Sequence, residues 1–217
     1  MEMLTLMTQR HSVRQYTDRA IEPEKRTVLN KLIAEINRDT GLHIQIFYDE
    51  PKCFDSMMAH YGKFAGVQNY IALVGRKSGR LDQQLGYQGE RLVLKAQELG
   101  LNTCWVAMTH GKSKAVIGSD EKQVCLISLG YGCTSGVVHK NKPLAEVSNY
   151  KDGMPDWFRQ GVEAALLAPT AMNQQKFFFT LQPDGSVTAT CGKSFYTKLD
   201  LGIVTFHFEA ITGKTVS

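Results

Sequence analysis

Near the start of the chain two arginines flank a serine hydroxyl, in Arg10-His11-Ser12-Val13-Arg14. Side chains alternate along an extended segment, so Arg10, Ser12 and Arg14 project to one side. Two guanidinium forks with a hydroxyl between them suit a phosphate dianion, because charge-assisted bidentate hydrogen bonds are strong. The spacing alone also allows a solvated basic N-terminus. His139-Lys140-Asn141-Lys142-Pro143 is a second small basic cluster, which either closes over the same phosphate or is a plain solvated loop. Ala168-Pro169-Thr170-Ala171-Met172-Asn173-Gln174-Gln175 combines small residues, which let a flat ring approach the backbone, with amides at Asn173 and Gln175. Those amides offer both donors and acceptors, the pattern that a pyrimidine edge also carries. Taken without the other clusters, this segment reads as a polar loop with a helix-stopping proline. The run from Leu99 through Trp105, Val106 and Ala107 reads as core by composition, and a backbone N–H at its far end could face a bound ring.

Competing chemistries lack their signatures. There is no GxGxxG or GxxxxGK[ST] phosphate loop, no GxSxG elbow and no HExxH helix. The six histidines have no metal-ligand spacing, and His207 in an apolar helix reads as a satisfied core residue. The five cysteines are odd in number, scattered and without a CxxC pair, so neither a disulfide framework nor a metal cluster is expected. A net charge of +4 fits a protein that holds an anion, but no Lys/Arg block points to nucleic acid. The start of the chain has no secretory pattern and the most apolar windows are strand length, so no membrane association is expected. Together with the cysteine usage, this leads to a cytoplasmic expectation.

These residues need elements to position them. With 217 residues, 43% hydrophobic and 21% charged, the chain is long enough for one large domain or two small fused ones. A helix is expected over 23–38, with Pro23 in its first turn and Val28, Leu29, Leu32, Ile33 and Ile36 on one face. Strands are expected over 43–48 and 70–74, a long helix over 81–99 stopped by Gly100, and strands over 103–108 and 124–129. The polar, proline-containing stretch 134–155 reads as a linker. Beyond it the pattern restarts: a helix over 156–167, strands over 177–181 and 187–190 around the turn Pro183-Asp184-Gly185-Ser186, and a helix over 195–212. Gly89 to Gly100 and Gly202 to Gly213 have the same separation in the two long helices, a slight sign of a distant repeat. Helices and strands without strict alternation suggest an α+β sandwich.

Taken together, these segments resemble the FMN-dependent nitroreductase family. RHSVRQY is similar to its RxSxR phosphate motif, and ERLVLKAQELGLNTCWVA to its central helix and LGLGTCW strand. Gly130-Tyr131-Gly132, followed by Lys140-Asn141-Lys142-Pro143-Leu144, resembles its G-Y-x and Pro-Leu ending, and APTAMNQQ resembles its APSxxNxQPW flavin loop. The resemblance implies a nitroreductase-like α+β sandwich using FMN, with NADH or NADPH as electron donor and a nitroaromatic, quinone or similar small molecule as acceptor, by a ping-pong route. It implies that Arg10, Arg14, Lys140 and Lys142 hold the phosphate, with Ser12 donating to phosphate or ribityl oxygen. Pro169, Thr170 and Asn173 would line the isoalloxazine, and backbone groups around Trp105, Val106 and Ala107 would face its reactive side. The flavin carries the chemistry, so no catalytic side chain and no metal are implied. Three departures stand out. The APTAMNQQ loop follows the LNTCW strand instead of preceding it, Lys176-Phe177 replaces Pro-Trp, and no nicotinamide fingerprint is present. The first suggests a single-chain pseudo-dimer: an N-terminal half at 1–133, a linker at 134–155, and a smaller C-terminal half at 156–217 completing the flavin site. A monomer with one flavin per chain is then favoured, with a homodimer as the alternative.

Overall fold

A strand that is apolar along its whole length can be stable only where both faces and both edges are covered. Strand β2 (Asn69–Arg76) is such a segment, buried at seven of its eight residues. In the computed structural model, which describes residues 2–217, it is central in a four-stranded sheet of order β1-β2-β4-β3, with β1 (Gln45–Phe47), β3 (Asn102–Val106) and β4 (Glu121–Gly130), all paired antiparallel. The helices are α1 (Met3–Gln9), α2 (Pro23–Thr40), α3 (Met57–Tyr61), α4 (Leu81–Glu98), α5 (Leu144–Val147), α6 (Asp156–Leu166) and α7 (Thr197–Thr212). A hairpin of β5 (Phe177–Leu181) and β6 (Val187–Cys191) forms a second sheet. The fold class is α+β, as the sequence leads one to expect.

The chain forms two compact units. One comprises residues 10–81 and 92–137 and holds the four-stranded sheet; the other comprises 1–9, 82–91 and 138–217. In the sheet unit, period-two alternation separates two faces. Tyr70, Ala72 and Val74 of β2 join Cys104 and Val106 of β3 and Leu126 of β4 in a cluster closed by Val13, Tyr16, Phe54, Ala59 and Phe64. Phe47 stacks on Tyr70 at 5.0 Å, and Phe54 meets Phe64 edge-on at 5.3 Å. A second cluster gathers Ile21, Leu29 of α2, Ala96 of α4, Leu101 and Leu129 of β4.

The other unit is built on α6 and α7, with the hairpin against α7. Phe208 of α7 stacks on Phe179 of β5 at 4.8 Å and meets Phe158 of α6 at 6.0 Å. Gly161 lets the two helices close: a Cβ there would lie 2.5 Å from the Phe208 ring. The hairpin turn is secured by Asp184, whose carboxylate accepts from the Ser186 N–H at 2.9 Å and hydroxyl at 2.7 Å. His207 is a satisfied core histidine. Its Nδ1 lies 3.0 Å from the Ala164 carbonyl, which can only accept, and its Nε2 lies 2.9 Å from the Glu90 carboxyl.

Several boundaries differ from expectation for local reasons. The strand expected over 103–108 ends at Val106, where pairing with β4 stops at Leu126. Helix α7 starts at Thr197, not 195, because Tyr196 adopts a left-handed φ of 59°. Within 134–155 the chain forms α5, and Ser148 bridges to Phe179 of β5. Helices α1 and α3 have no counterpart in the expected elements; both are too short to show a clear period. Gly86 and Gly202 sit where α4 and α7 approach closely. A Cβ on Gly202 would lie 2.0 Å from the Gln83 carbonyl oxygen, and one on Gly86 would lie 2.0 Å from that of Leu199.

Candidate functional site

In the sheet unit, the segment carrying Arg10, Ser12 and Arg14 runs beside the edge strand β3. Ser12 makes a parallel bridge to Thr103, and the Val13 N–H donates to the Thr103 carbonyl at 3.0 Å. On its other side the Ala65 N–H donates to the Arg14 carbonyl and the Tyr16 N–H to the Ala65 carbonyl. Val13 between the polar residues is buried in the core, as alternation requires. Burial raises the Cys104 thiol, next to Thr103, above its ordinary value, while Arg14, a hydrogen bond from Ser12 and Arg10 pull the other way. Of the three proposed phosphate residues of this motif, Arg10 is only 2% exposed, Ser12 is half-buried and Arg14 is at the surface. The Arg14 guanidinium lies over the Phe64 ring, 5.9 Å from its centre, which orients it without consuming its hydrogen-bond donors. Trp105 and Val106 continue β3, paired with Ile127 and Leu126, and Ala107 follows the strand end.

Tyr131, in the Gly130-Tyr131-Gly132 run, is held away from ligand duty. The Arg19 guanidinium lies over its ring at 4.0 Å, Lys25 Nζ donates to its hydroxyl at 2.7 Å, and the hydroxyl donates to Glu22. The Tyr131 hydrogen bond, then one from the Glu22 backbone and one from Arg19, lower the Glu22 carboxyl to about 2.

In the other unit, the 168–175 loop and the 140–142 cluster are tied into one knot, so the structure brings Lys140, Lys142, Thr170 and Asn173 together. Gln175, 2% exposed, is its centre. Its amide donates to the Lys140 carbonyl at 2.7 Å and to Asn173 Oδ1 at 2.7 Å, and accepts from the Lys142 N–H at 2.8 Å. Lys142 Nζ reaches the Gln175 carbonyl at 3.2 Å, the Gln175 N–H donates to Thr170 Oγ1 at 3.1 Å, and Asn173 Nδ2 donates to the Lys140 carbonyl at 2.8 Å. The Gln175 amide is therefore a structural fastener and not a group offered to a ring. Pro169 is buried at the root of the loop. Met172, Asn173 and Gln175 all adopt left-handed backbone, with φ of 52°, 52° and 44°. Non-glycine residues hold such conformations only where surrounding bonds over-determine them.

Asp200, in the first turn of α7, is a participant that sequence reading missed. It accepts from the Ala171 N–H at 3.0 Å and from Gln174 Nε2 at 2.8 Å, pinning the loop. Burial raises its carboxyl to about 6, against those two hydrogen bonds. The available signal was a lone acid among apolar residues near a helix start, where a carboxylate is favoured. Phe64 beneath Arg14 was also missed, and no local pattern marks it.

Among the described residues, no group of three or more His, Cys, Asp or Glu is placed to hold a metal ion, and no helix is long and apolar enough to cross a membrane. All five cysteines are present as thiols.

Comparison with known proteins bears on the fold and the family. The family model described as "Putative TM nitroreductase" matches residues 2–212. A solved structure of a "putative nitroreductase" from Thermotoga maritima is 22% identical, with 97% of this chain and 83% of that one covered at a TM-score of 0.69. One from Desulfovibrio desulfuricans, described as in complex with FMN, is 21% identical over 66% of this chain and 92% of that one, with a TM-score of 0.53. A nitroreductase family protein from Streptococcus pneumoniae is 15% identical over 69% and 100%, with a TM-score of 0.54. At these identities the likeness shows the fold. A search of curated proteins finds no match. Matched along nearly its whole length by the family model and sharing the fold of these structures, the chain belongs to the nitroreductase family.

Proposed function

We propose that this chain is an FMN-dependent oxidoreductase that uses NADH or NADPH to reduce nitroaromatics, quinones or similar small acceptors. The observation that carries the reading is the run of Arg10, Ser12 and Arg14 beside the edge strand β3, with Ser12 bridged to Thr103 and the Arg14 guanidinium over Phe64. Exposed Arg14 beside half-buried Ser12 offers the cationic and hydroxyl donors that a phosphate monoester requires. The described FMN complex of the Desulfovibrio desulfuricans relative supports the same cofactor.

In this reading Arg10 and Arg14 neutralise the phosphate and Ser12 donates a hydrogen bond to it or to a ribityl oxygen. Lys140 and Lys142 add positive charge, while Pro169, Thr170 and Asn173 present a small, shaped surface to the ring. Backbone groups from Trp105 to Ala107 orient the ring's reactive edge. Held by these residues, the flavin would supply the redox chemistry: hydride acceptance from NADH or NADPH and two-electron reduction of the acceptor, by a ping-pong route. The residues bind, orient and exclude water, so no acid-base pair is needed. The reading extends to one flavin per chain in a single-chain pseudo-dimer, and to a reducing cytoplasm, which thiols at all five cysteines suit.

An absorption spectrum of the purified protein tests the proposal directly. A flavin spectrum that bleaches on anaerobic addition of NADPH or NADH is the expected result. A colourless preparation that FMN does not stabilise overturns flavin binding, and a yellow protein that neither nucleotide reduces overturns the oxidoreductase role.

A further inference from the structure

Where β6 passes into α7, in the same compact unit as the 168–175 loop, lies a cavity of about 390 Å³ whose lining includes Asp82, Lys193, Ser194, Tyr196 and Lys198. Small-molecule sites span about 300–1,000 Å³, so the space admits part of a ligand of that kind. Two hydrogen bonds join its wall to the loop. Gln174 Nε2 donates to the Phe195 carbonyl at 2.9 Å, and the Gly192 N–H donates to the Lys176 carbonyl at 3.0 Å. The Thr197 hydroxyl donates to the Ser194 carbonyl at 3.2 Å and fixes the turn that carries both lysines. Lys25, Lys95 and Lys114 are each paired with a glutamate, whereas among the described residues no carboxylate pairs with exposed Lys193 or Lys198. Asp82 opposes these two lysines, so the lining keeps a net positive charge. Phe195, between the lining residues Ser194 and Tyr196, is 82% exposed.

We propose that Lys193, Ser194 and Lys198 hold the 2′-phosphate of NADPH, with the adenine on Phe195, so that the protein takes NADPH in preference to NADH. The inference rests on the function proposed above and names the electron donor of that site. The two nucleotides differ only in this phosphate monoester, which carries about two negative charges at neutral pH. Two ammonium groups and a hydroxyl donor suit such a dianion better than the pyrophosphate bridge, whose phosphates each carry a single charge. Adenine and the 2′-phosphate share one ribose, and here an exposed aromatic face adjoins the cationic cavity in the same short turn. The ribose 2′-hydroxyl of NADH gains nothing from the ammonium charges. Because both lysines are in contact with water, the preference is modest and weakens as salt is added.

The test uses the full-length holoprotein and the variant K193S/K198S, in which only solvent-exposed side chains change. Binding of adenosine 2′,5′-bisphosphate, 5′-AMP and inorganic phosphate is measured by isothermal titration at low ionic strength. KM for NADPH and for NADH is measured alongside. In the wild type the bisphosphate is expected to bind about tenfold tighter than 5′-AMP, and in the variant the two should bind alike. KM for NADPH should rise by a similar factor in the variant, with KM for NADH and kcat unchanged. Equal affinity for the two nucleotides in the wild type, with a flavin that NADPH or NADH bleaches, overturns the inference and leaves the proposed function intact. Inorganic phosphate that binds as tightly as the bisphosphate also overturns it, because the cavity then takes free phosphate. A variant that loses its flavin overturns it too, since the lysines would then hold the FMN phosphate. A wild-type protein that is colourless, or that neither nucleotide reduces, overturns the function and the donor role with it, whatever the titration gives. Should the double variant fail to fold, K193S and K198S singly are each expected to raise the bisphosphate Kd about threefold, and no change in either has the same overturning force.

Discussion

Arg14 shows how much one residue can do when its geometry is set by neighbours. Phe64 supports its guanidinium from one face, and the chain on both sides of it is fixed by backbone pairing, which leaves less entropy to lose on binding. Arg14→Ala should weaken FMN binding by about 1.5–3 kcal/mol, the range for a hydrogen bond to a charged group. Fluorescence titration of the apoprotein with FMN checks this, and unchanged affinity would remove Arg14 from the site. Asp200 makes a different prediction. Burial raises its carboxyl to about 6, so between about pH 4 and pH 6 the folded state keeps a proton that the unfolded chain has released. The stability this provides is fully present below about pH 4 and is lost as pH rises through about 6. Asp200→Asn keeps the shape and removes the titration, so its unfolding free energy should change less across that window, by on the order of 2–3 kcal/mol. Urea midpoints from pH 4 to 7 for both proteins decide it; parallel curves would mean that Asp200 does not titrate there.

At the scale of elements, the unit containing α6 and α7 depends on close backbone approach. Gly202 of α7 sits against the Gln83 carbonyl and the Tyr87 N–H of α4, and Gly86 of α4 against the Leu199 carbonyl of α7. Each helix thus supplies the glycine that admits the other. The atoms a new Cβ would meet are backbone, which cannot swing aside, so the helices would have to separate and loosen the buried Glu90–His207 contact beside them. Gly202→Ala should destabilise the protein by at least about 2 kcal/mol. Gly79→Ala, where nothing lies within 4 Å, is the control and should stay within about 0.5 kcal/mol. Thermal unfolding of both variants measures the difference. These helices were legible in the sequence as amphipathic or apolar runs, and Gly100 and Gly213 as their stops. Which glycine served the crossing was not legible. Gly86 is one of two glycines in α4, and only the partner helix shows what its missing side chain admits.

For the molecule as a whole, the family model spans residues 2–212, while the Desulfovibrio desulfuricans and Streptococcus pneumoniae structures align with only 66% and 69% of this chain. The proposed single-chain pseudo-dimer accounts for a chain that extends beyond such relatives and carries its small-residue loop late. It has a measurable consequence: native mass spectrometry of the holoprotein should find one 24.2 kDa chain with one FMN. An obligate dimer carrying two flavins would exclude the fusion. Helix α4 divides its length between the two compact units, residues 82–91 in one and 92–98 in the other, so cutting the chain at 137 would not yield either unit intact.

By itself the sequence determined the helices and strands with strong periodicity, the hairpin at Pro183–Ser186, and the residue types able to meet a phosphate and a flat ring. These follow from local rules: alternation, glycine and proline punctuation, and the donor geometry of arginine. Tertiary structure alone decided that Gln175 is the fastener joining residues 35 apart and that Asp200 pins the loop. It also decided that Ser12 is bridged to Thr103 of β3 with Arg14 over Phe64, and that the five-residue helix α3 leaves Met57 exposed. Those outcomes depend on long-range packing, in which groups of identical local appearance differ only in what the fold sets beside them.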